Sequence, residues 1–143
     1  MNIYAENILD HYWHPRNKTH PLPAENIKDG GRVTHEEINE SCGDSLAIRL
    51  TISAGRIASI QWDGSGCAIS QAAISMLSEE LAGKSIADAE SIKKDDVYSL
   101  LGVPIGPRRV KCALLGLHAL KNAIKKFKGE PPTGWNDTAG SSV

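Results

Sequence analysis

Three cysteines and one nearby aspartate are the residues of this 143-residue chain whose types could carry metal chemistry. Cys42 and Asp44 lie close together in a Ser-Cys-Gly-Asp run, and Cys67 and Cys112 are the only other cysteines. Thiolates are soft ligands that bind zinc and iron–sulfur clusters. Three thiolates and one carboxylate add up to one four-coordinate site. The pattern predicts a single metal or cluster centre with the ligands Cys42, Asp44, Cys67 and Cys112.

The spacing of the cysteines leaves a second interpretation open. The chain has no paired Cys-x-x-Cys, which excludes a zinc finger or zinc ribbon. Cysteine is among the most buried residue types, so three buried free thiols fit the spacing equally well. Three cysteines cannot all form disulfides with one another, and their scatter does not resemble a disulfide framework. We therefore expect a reducing compartment, most simply the cytoplasm.

The elements that must position these residues follow an α+β pattern. Apolar residues alternate with polar or small ones at 46–53, as expected for a half-buried strand. The Ala-Gly pair at 54–55 then connects it to the next strand as a hairpin. Helices are indicated by apolar residues near a 3.6 period. We predict helices at 3–12, 68–81, 85–90, 95–101 and 108–128, and strands of a small antiparallel sheet at 32–39, 46–53 and 56–62.

The predicted element boundaries favour the metal interpretation. Cys42 falls in a loop between two strands, Cys67 follows a Gly-Ser-Gly break at a helix start, and Cys112 lies in the first turns of the last helix. Sites are usually built at such element ends. Arg109 precedes Cys112 by three residues, on the same helix face, where its guanidinium would favour the thiolate form. The alternative for Arg109 is a solvated basic turn.

Composition excludes several other classes of protein. The net charge of −1 and the 23% of charged residues give no global basic field for nucleic acid. No stretch reaches the roughly 20 apolar residues of a membrane span, and the N-terminus lacks the apolar core of a signal peptide. The length favours one domain. We expect this domain to span residues 1–128 and a flexible tail, rich in Pro, Gly, Thr and Ser, to span residues 129–143.

Short motifs at the N-terminus and around the three cysteines resemble those of a known family. The motifs are Tyr4, Asp10-His11-Tyr12, Pro15-Arg16-Asn17, Ser41-Cys42-Gly43-Asp44, Gly66-Cys67-Ala68-Ile69-Ser70 and Lys111-Cys112-Ala113. On these motifs the chain, over residues 3–128, resembles the IscU/SufU family of iron–sulfur cluster assembly proteins, which includes the N-terminal domain of NifU. The resemblance implies an α+β fold, with helices packed on a three-stranded antiparallel sheet.

The resemblance implies a scaffold function. Cys42, Asp44, Cys67 and Cys112 would hold a transient [2Fe–2S] cluster, with Cys112 accepting persulfide sulfur from a cysteine desulfurase. The finished cluster would pass to apo-protein recipients or carriers. A carboxylate among the thiolates should hold a cluster less tightly than a fourth thiolate, as a site that must release its cargo requires.

Two other functions remain open. In SufU-type proteins the same residues would bind Zn²⁺ in a sulfurtransferase, and a purely structural zinc domain is a third, minor alternative. Lys111 replaces the histidine that IscU proteins have before the third cysteine, which favours the sulfurtransferase. The chain lacks the insertion that SufU sulfurtransferases carry between the second and third cysteines, which opposes it. The IscU chaperone-binding motif is replaced by Val-Pro-Ile-Gly-Pro-Arg-Arg at 103–109.

Overall fold

The computed structural model describes residues 6–22, 31–40 and 43–140. In these ranges the three strands follow one another directly, and most of the helices come after them in the sequence. The elements are α1 (Glu6–Trp13), β1 (Arg32–Asn39), β2 (Asp44–Ser53), β3 (Arg56–Ser65), α2 (Ala68–Leu81), α3 (Ile86–Glu90), α4 (Lys94–Leu101), a 3₁₀ turn (Pro107–Arg109), α5 (Val110–Lys128) and α6 (Trp135–Ala139).

The three strands form an antiparallel sheet in the order β1-β2-β3, which confirms the predicted fold class. Ala54 and Gly55 both have positive φ, 52° and 73°, and they form the two-residue turn between β2 and β3. Two positive φ values give the turn a twist that matches the strands it joins. The predicted hairpin is therefore confirmed. The inward-facing apolar residues of β2 are all buried: Leu46, Ile48, Leu50 and Ile52.

The two longest helices cover the sheet and pack on each other. Helix α5 contacts β1 and β2, whereas α2 contacts β3 and α5. Gly116 of α5 lies so close to α2 that an added Cβ would be 3.1 Å from the Cβ of Ile74. The two helices are therefore in close contact at this point. The N-terminal ends of α2 and α5 lie at the end of the sheet where β2 begins. Among the helices of the described ranges, none combines the length and hydropathy of a membrane span.

Within the described ranges, three element boundaries differ from the prediction by two or three residues, and the C-terminal end of α1 and both ends of α3 and α4 differ by one at most. Strand β3 continues to Ser65, although the Asp-Gly-Ser-Gly run was expected to end it after Trp62. Gly64 pairs with Leu46, and a side chain at Gly64 would overlap the backbone carbonyl of Ser45, so glycine is what lets the strands continue here. Strand β2 starts at Asp44 rather than residue 46. Helix α5 starts at Val110 because Pro107 opens a 3₁₀ turn before it.

The segment after Lys128 was expected to be a flexible tail, and in the structure part of it is helical. It contains α6, a short helix that packs on α5. The Trp135 ring stacks on the buried His118 imidazole with centroids 4.1 Å apart, and Thr138 Oγ1 lies 2.8 Å from His118 Nδ1. A five-residue helix owes its stability to such tertiary contacts rather than to propensity, which is why composition did not indicate it. A domain boundary after residue 128 stays a prediction.

Candidate metal centre

Three of the four predicted ligands come together in the structure. One carboxylate oxygen of Asp44 and the sulfurs of Cys67 and Cys112 all lie within 4.8 Å of one another. Asp44 is the first residue of β2, Cys67 is the N-cap of α2, and Cys112 lies in the first turn of α5. Cys42, the fourth predicted ligand, lies outside the described residues. Two thiols 45 positions apart in the chain thus converge beside one carboxylate, as a shared ion would require.

The carboxylate of Asp44 is buried and only partly satisfied. The residue is 3% exposed, and Oδ1 accepts a hydrogen bond from the backbone N–H of Cys67 at 3.4 Å. For Oδ2, no residue in the described parts of the chain supplies a hydrogen bond. A buried carboxylate oxygen without a donor is costly, and a cation bound to it would remove that cost. The residues present therefore fit a metal ion.

Two glycines next to the ligands are required by the local backbone, each for a different reason. An added Cβ at Gly66 would lie 2.5 Å from Asp44 Oδ1 and 2.6 Å from Ser70 Oγ, so only glycine lets the chain pass the carboxylate here. Gly43 has φ of 76°, a left-handed conformation that glycine adopts without strain. Its N–H donates to the carbonyl of Asn39 at 2.9 Å.

The thiols and two arginines line a cavity of about 530 Å³. Cys67 caps α2 without making a side-chain capping bond, and the positive end of a helix stabilises anionic groups. Arg109 also lines this cavity, but it lies in the 3₁₀ turn rather than within the helix. Its neighbour Arg108 lines the same cavity. Two arginines are therefore near the candidate ligands.

Lys111 points to a different part of the molecule. Its ammonium nitrogen lies 5.7 Å from the centroid of the Trp135 ring, in a cation–π contact with α6. Lys111 is not among the residues that line the cavity. The residue directly before Cys112 thus contacts the C-terminal helix rather than the candidate ligands.

Asn39 is the site residue that sequence reasoning missed. It is 2% exposed, and its side-chain nitrogen lies 4.0 Å from the sulfur of Cys112. One feature of the sequence indicated it, its position three residues before Cys42. It is also the last residue of the strand predicted at 32–39, in which apolar and polar residues alternate poorly.

Comparison with known proteins decides the family. The family model described as the NifU-like N terminal domain matches residues 3–133. The chain belongs to this family. The resemblance to IscU and SufU proteins that the cysteine motifs predicted is therefore confirmed.

The relatives of this NifU-like domain include both functional subtypes. The zinc-dependent sulfurtransferase SufU of Bacillus subtilis is 29% identical, over 89% of this chain and 92% of that protein. The iron–sulfur cluster assembly scaffold protein IscU of Escherichia coli K12 is 30% identical, over 89% of this chain and 95% of that protein. The scaffold protein IscU 1 of Archaeoglobus fulgidus is 31% identical, over 87% and 76% respectively.

Solved structures with the same fold support the assignment. A putative iron–sulfur cluster assembly scaffold protein for the SUF system from Fervidobacterium islandicum AW-1 superposes with a TM-score of 0.62 at 26% identity. The match covers 86% of this chain and 97% of that one. The NifU-like N-terminal protein of Brucella abortus, at 18% identity, has the same fold with a TM-score of 0.69, over 90% and 96% of the two chains.

Proposed function

We propose that this protein is an iron–sulfur cluster assembly scaffold. It accepts sulfur from a cysteine desulfurase, builds a transient [2Fe–2S] cluster on Cys42, Asp44, Cys67 and Cys112, and passes the cluster to apo-protein recipients or carriers. The observation that carries the proposal is the convergence of Asp44, Cys67 and Cys112 at one cavity, with Asp44 Oδ2 buried and lacking a donor among the described residues. A reducing compartment such as the cytoplasm suits a site whose cysteines act as thiolate ligands.

A site with both thiolate and carboxylate ligands suits a cluster that must be released to another protein. Thiolates bind iron strongly, whereas a carboxylate oxygen is a harder ligand and holds such a cluster less tightly. Cys67 is half-buried and the cavity is lined in part by exposed arginines, so partners can reach the cavity on the side of Cys67, whereas Cys112 is 4% exposed. The site therefore combines ligands that can assemble a cluster with access for the proteins that supply and receive it.

Sulfur enters by thiol–persulfide exchange. The thiolate of Cys112 attacks the outer sulfur of the persulfide on the desulfurase, a new S–S bond forms, and the desulfurase cysteine leaves as a thiolate. Arg109 lies beside this step, where its positive charge favours the attacking thiolate. Each transferred sulfur then needs two electrons from an external reductant to become the sulfide of a cluster.

A zinc-dependent sulfurtransferase is the second candidate function. The similarity to the Bacillus subtilis SufU over 89% of this chain supports it, as does a lysine rather than a metal-binding imidazole before Cys112. Cys42, Asp44, Cys67 and Cys112 would hold Zn²⁺, which when bound keeps its thiolate ligands deprotonated. Sulfur transfer to Cys112 would follow the same exchange, and no cluster would form.

One reconstitution experiment separates the two functions. The protein is purified without oxygen and its iron and zinc are measured. It is then mixed with a cysteine desulfurase, cysteine, ferrous iron and a reductant. Visible cluster absorption, followed by transfer to apo-ferredoxin, is the result expected of a scaffold. Retained zinc with faster desulfurase turnover and no cluster would overturn the scaffold proposal in favour of the sulfurtransferase.

Variants test whether the named residues carry the chemistry. Cys112→Ser should abolish both sulfur acceptance and cluster formation, and Asp44→Ala should reduce metal retention. Asp63→Ala is a matched control, because its carboxylate pairs with His20 instead of facing the two sulfurs. Equal loading of the wild type and the Cys112→Ser variant would reject the assigned site.

A further inference from the structure

We propose that Asn39 is a positioning residue whose side-chain amide donates an N–H···S hydrogen bond to Cys112 and fixes how that sulfur faces the metal. The proposal rests on the metal-binding role of the cavity. It adds a residue that is neither a ligand nor a nucleophile.

Burial makes the contact between Asn39 and Cys112 significant. The amide nitrogen lies 4.0 Å from Sγ, at the long end for a bond to sulfur, and the two residues are 2% and 4% exposed. A buried amide donor that loses its partner costs about 1–3 kcal/mol, because water cannot replace the lost bond. The sulfur of Cys112 is thus the acceptor that the fold offers to this donor, and the pairing holds both side chains in place.

The backbone of Asn39 also makes a hydrogen bond, to Gly43, which lies between the predicted ligands Cys42 and Asp44 in the sequence. Asn39 is the last residue of β1 and pairs in register with Asp44. Its carbonyl accepts a hydrogen bond from the N–H of Gly43 at 2.9 Å, which spans the sequence positions that include Cys42. A single residue therefore contacts both Gly43, which precedes the predicted ligand Asp44, and the helix that carries Cys112.

This arrangement makes the two described cysteines unequal. The backbone N–H of Cys67 donates to the carboxylate of Asp44, whereas the sulfur of Cys112 receives a side-chain amide. Hydrogen bonds to a ligand sulfur orient it and withdraw electron density from it, and loss of such an outer partner typically weakens metal affinity about 10–100-fold. Asn39 thereby sets the geometry and electron density of the sulfur that is proposed to accept persulfide.

Cobalt and zinc binding to the metal-free protein test the proposal without any assay of activity. Asn39→Leu removes the amide at similar volume and leaves the backbone bond to Gly43 in place. We expect its affinity for Zn²⁺, measured by competition with a chelator, to fall about 10–100-fold. With Co²⁺ as probe, the sulfur-to-cobalt charge-transfer bands should shift, because the donor to one ligand sulfur is gone.

Asn122→Leu is the matched control. Asn122 is equally buried, at 3% exposure, and its amide donates to Glu37 instead of a cysteine. This variant should lose stability but keep wild-type cobalt bands and zinc affinity. If Asn39→Leu does not fold, Asn39→Ala removes the same donor with a smaller side chain. Wild-type bands and affinity in a folded Asn39 variant would overturn the proposal, whereas wild-type protein without charge-transfer bands would refute the metal site itself.

Discussion

Gly66 lies directly against the carboxylate of Asp44, so that a methyl group at Gly66 would be 2.5 Å from Asp44 Oδ1. Real Cβ atoms do not approach an oxygen this closely, and the carboxylate would have to move. Gly66→Ala should therefore displace Asp44 from the two sulfurs and lower the amount of bound Zn²⁺ or cluster at least several-fold. Overpacking should also cost about 1–3 kcal/mol of folding free energy.

The control for this prediction is Gly134→Ala. Gly134 has φ of −82° and open space around an added Cβ, so alanine fits there without strain. Metal content per folded protein, measured after desalting, should drop for Gly66→Ala only. Equal metal content in both variants would mean that Asp44 does not help to hold the ion.

Asp44→Asn should separate stability from metal binding. The buried Oδ2 of Asp44 lacks a donor in the described ranges, so a charge there destabilises the metal-free protein. Replacing it by a neutral amide of the same shape should raise the free energy of unfolding of the metal-free protein by about 1 kcal/mol, because a buried charge without a partner costs more than a buried amide without one. The same change should weaken zinc binding. Urea unfolding in the presence of a chelator measures the first effect, and competition with a chelator measures the second.

Asp63→Asn provides the comparison, because that carboxylate already has His20 as a partner at 2.7 Å. It should gain no stability and keep its zinc affinity. A less stable metal-free Asp44→Asn protein would contradict the interpretation that the charge of Asp44 destabilises the metal-free protein.

The sequence predicted the ligand elements well because their signals are local. Alternation at 46–53 and the Ala54-Gly55 turn define the central hairpin, and glycine breaks mark the start of α2. Cysteine is rare enough in this chain that its positions relative to element ends indicated Cys67 and Cys112 as neighbours. Cys42 was predicted by the same argument, and its place at the site stays a prediction.

The features that the sequence did not reveal depend on tertiary contacts. Asn39 carries no distinctive signal, since its importance comes from a sulfur 73 positions away. Helix α6 is too short for a periodic pattern and is held by the stacking of Trp135 on His118. Lys111 was interpreted only through its neighbour Cys112, whereas its contact with Trp135 requires the folded C-terminal segment.

Arg109→Ala should slow sulfur acceptance at Cys112. Arg109 lines the cavity, and its positive charge is proposed to favour the attacking thiolate, so we expect a several-fold lower rate of alkylation of Cys112 at pH 7 in a Cys42→Ser, Cys67→Ser background. Raising the salt concentration should reduce the difference between the two proteins, because exposed charges are screened. Arg56→Ala, which removes an exposed arginine bonded to the Gly83 carbonyl, is the control. Unchanged alkylation in Arg109→Ala would leave that residue without a role in activation.

Trp135→Ala tests whether the C-terminal helix belongs to the domain. The ring stacks on His118 and lies under Lys111, so its loss should lower the free energy of unfolding by about 1–3 kcal/mol. Trp13→Ala is a matched control, because Trp13 is 69% exposed and its removal should change stability by less than about 0.5 kcal/mol. Equal effects of the two substitutions in urea unfolding would mean that α6 contributes nothing to the fold.

His118 should make stability depend on pH below neutrality. Burial lowers the pKa of His118, and the nearby carboxylate of Glu37 opposes this shift only in part. The unfolded chain, with a histidine pKa of about 6.5, therefore binds a proton before the folded protein does. The contribution of neutral His118 to stability is complete above pH 6.5 and declines as the pH falls from there toward the lower folded pKa. The slope is at most about 1.4 kcal/mol per pH unit for one proton.

His118→Gln isolates this contribution from the other groups. His11 has a pKa that burial also lowers, so the variant retains part of the wild-type slope through that residue. For Glu37, burial raises the pKa, but hydrogen bonds from His35 and Asn122 outweigh it and leave the pKa below its usual value. Its contribution is therefore lost only at more acidic pH. In metal-free protein at constant ionic strength, His118→Gln should flatten the curve of unfolding free energy against pH between pH 6.5 and 5. Parallel curves for the variant and the wild type would show that His118 takes up its proton equally well in both states.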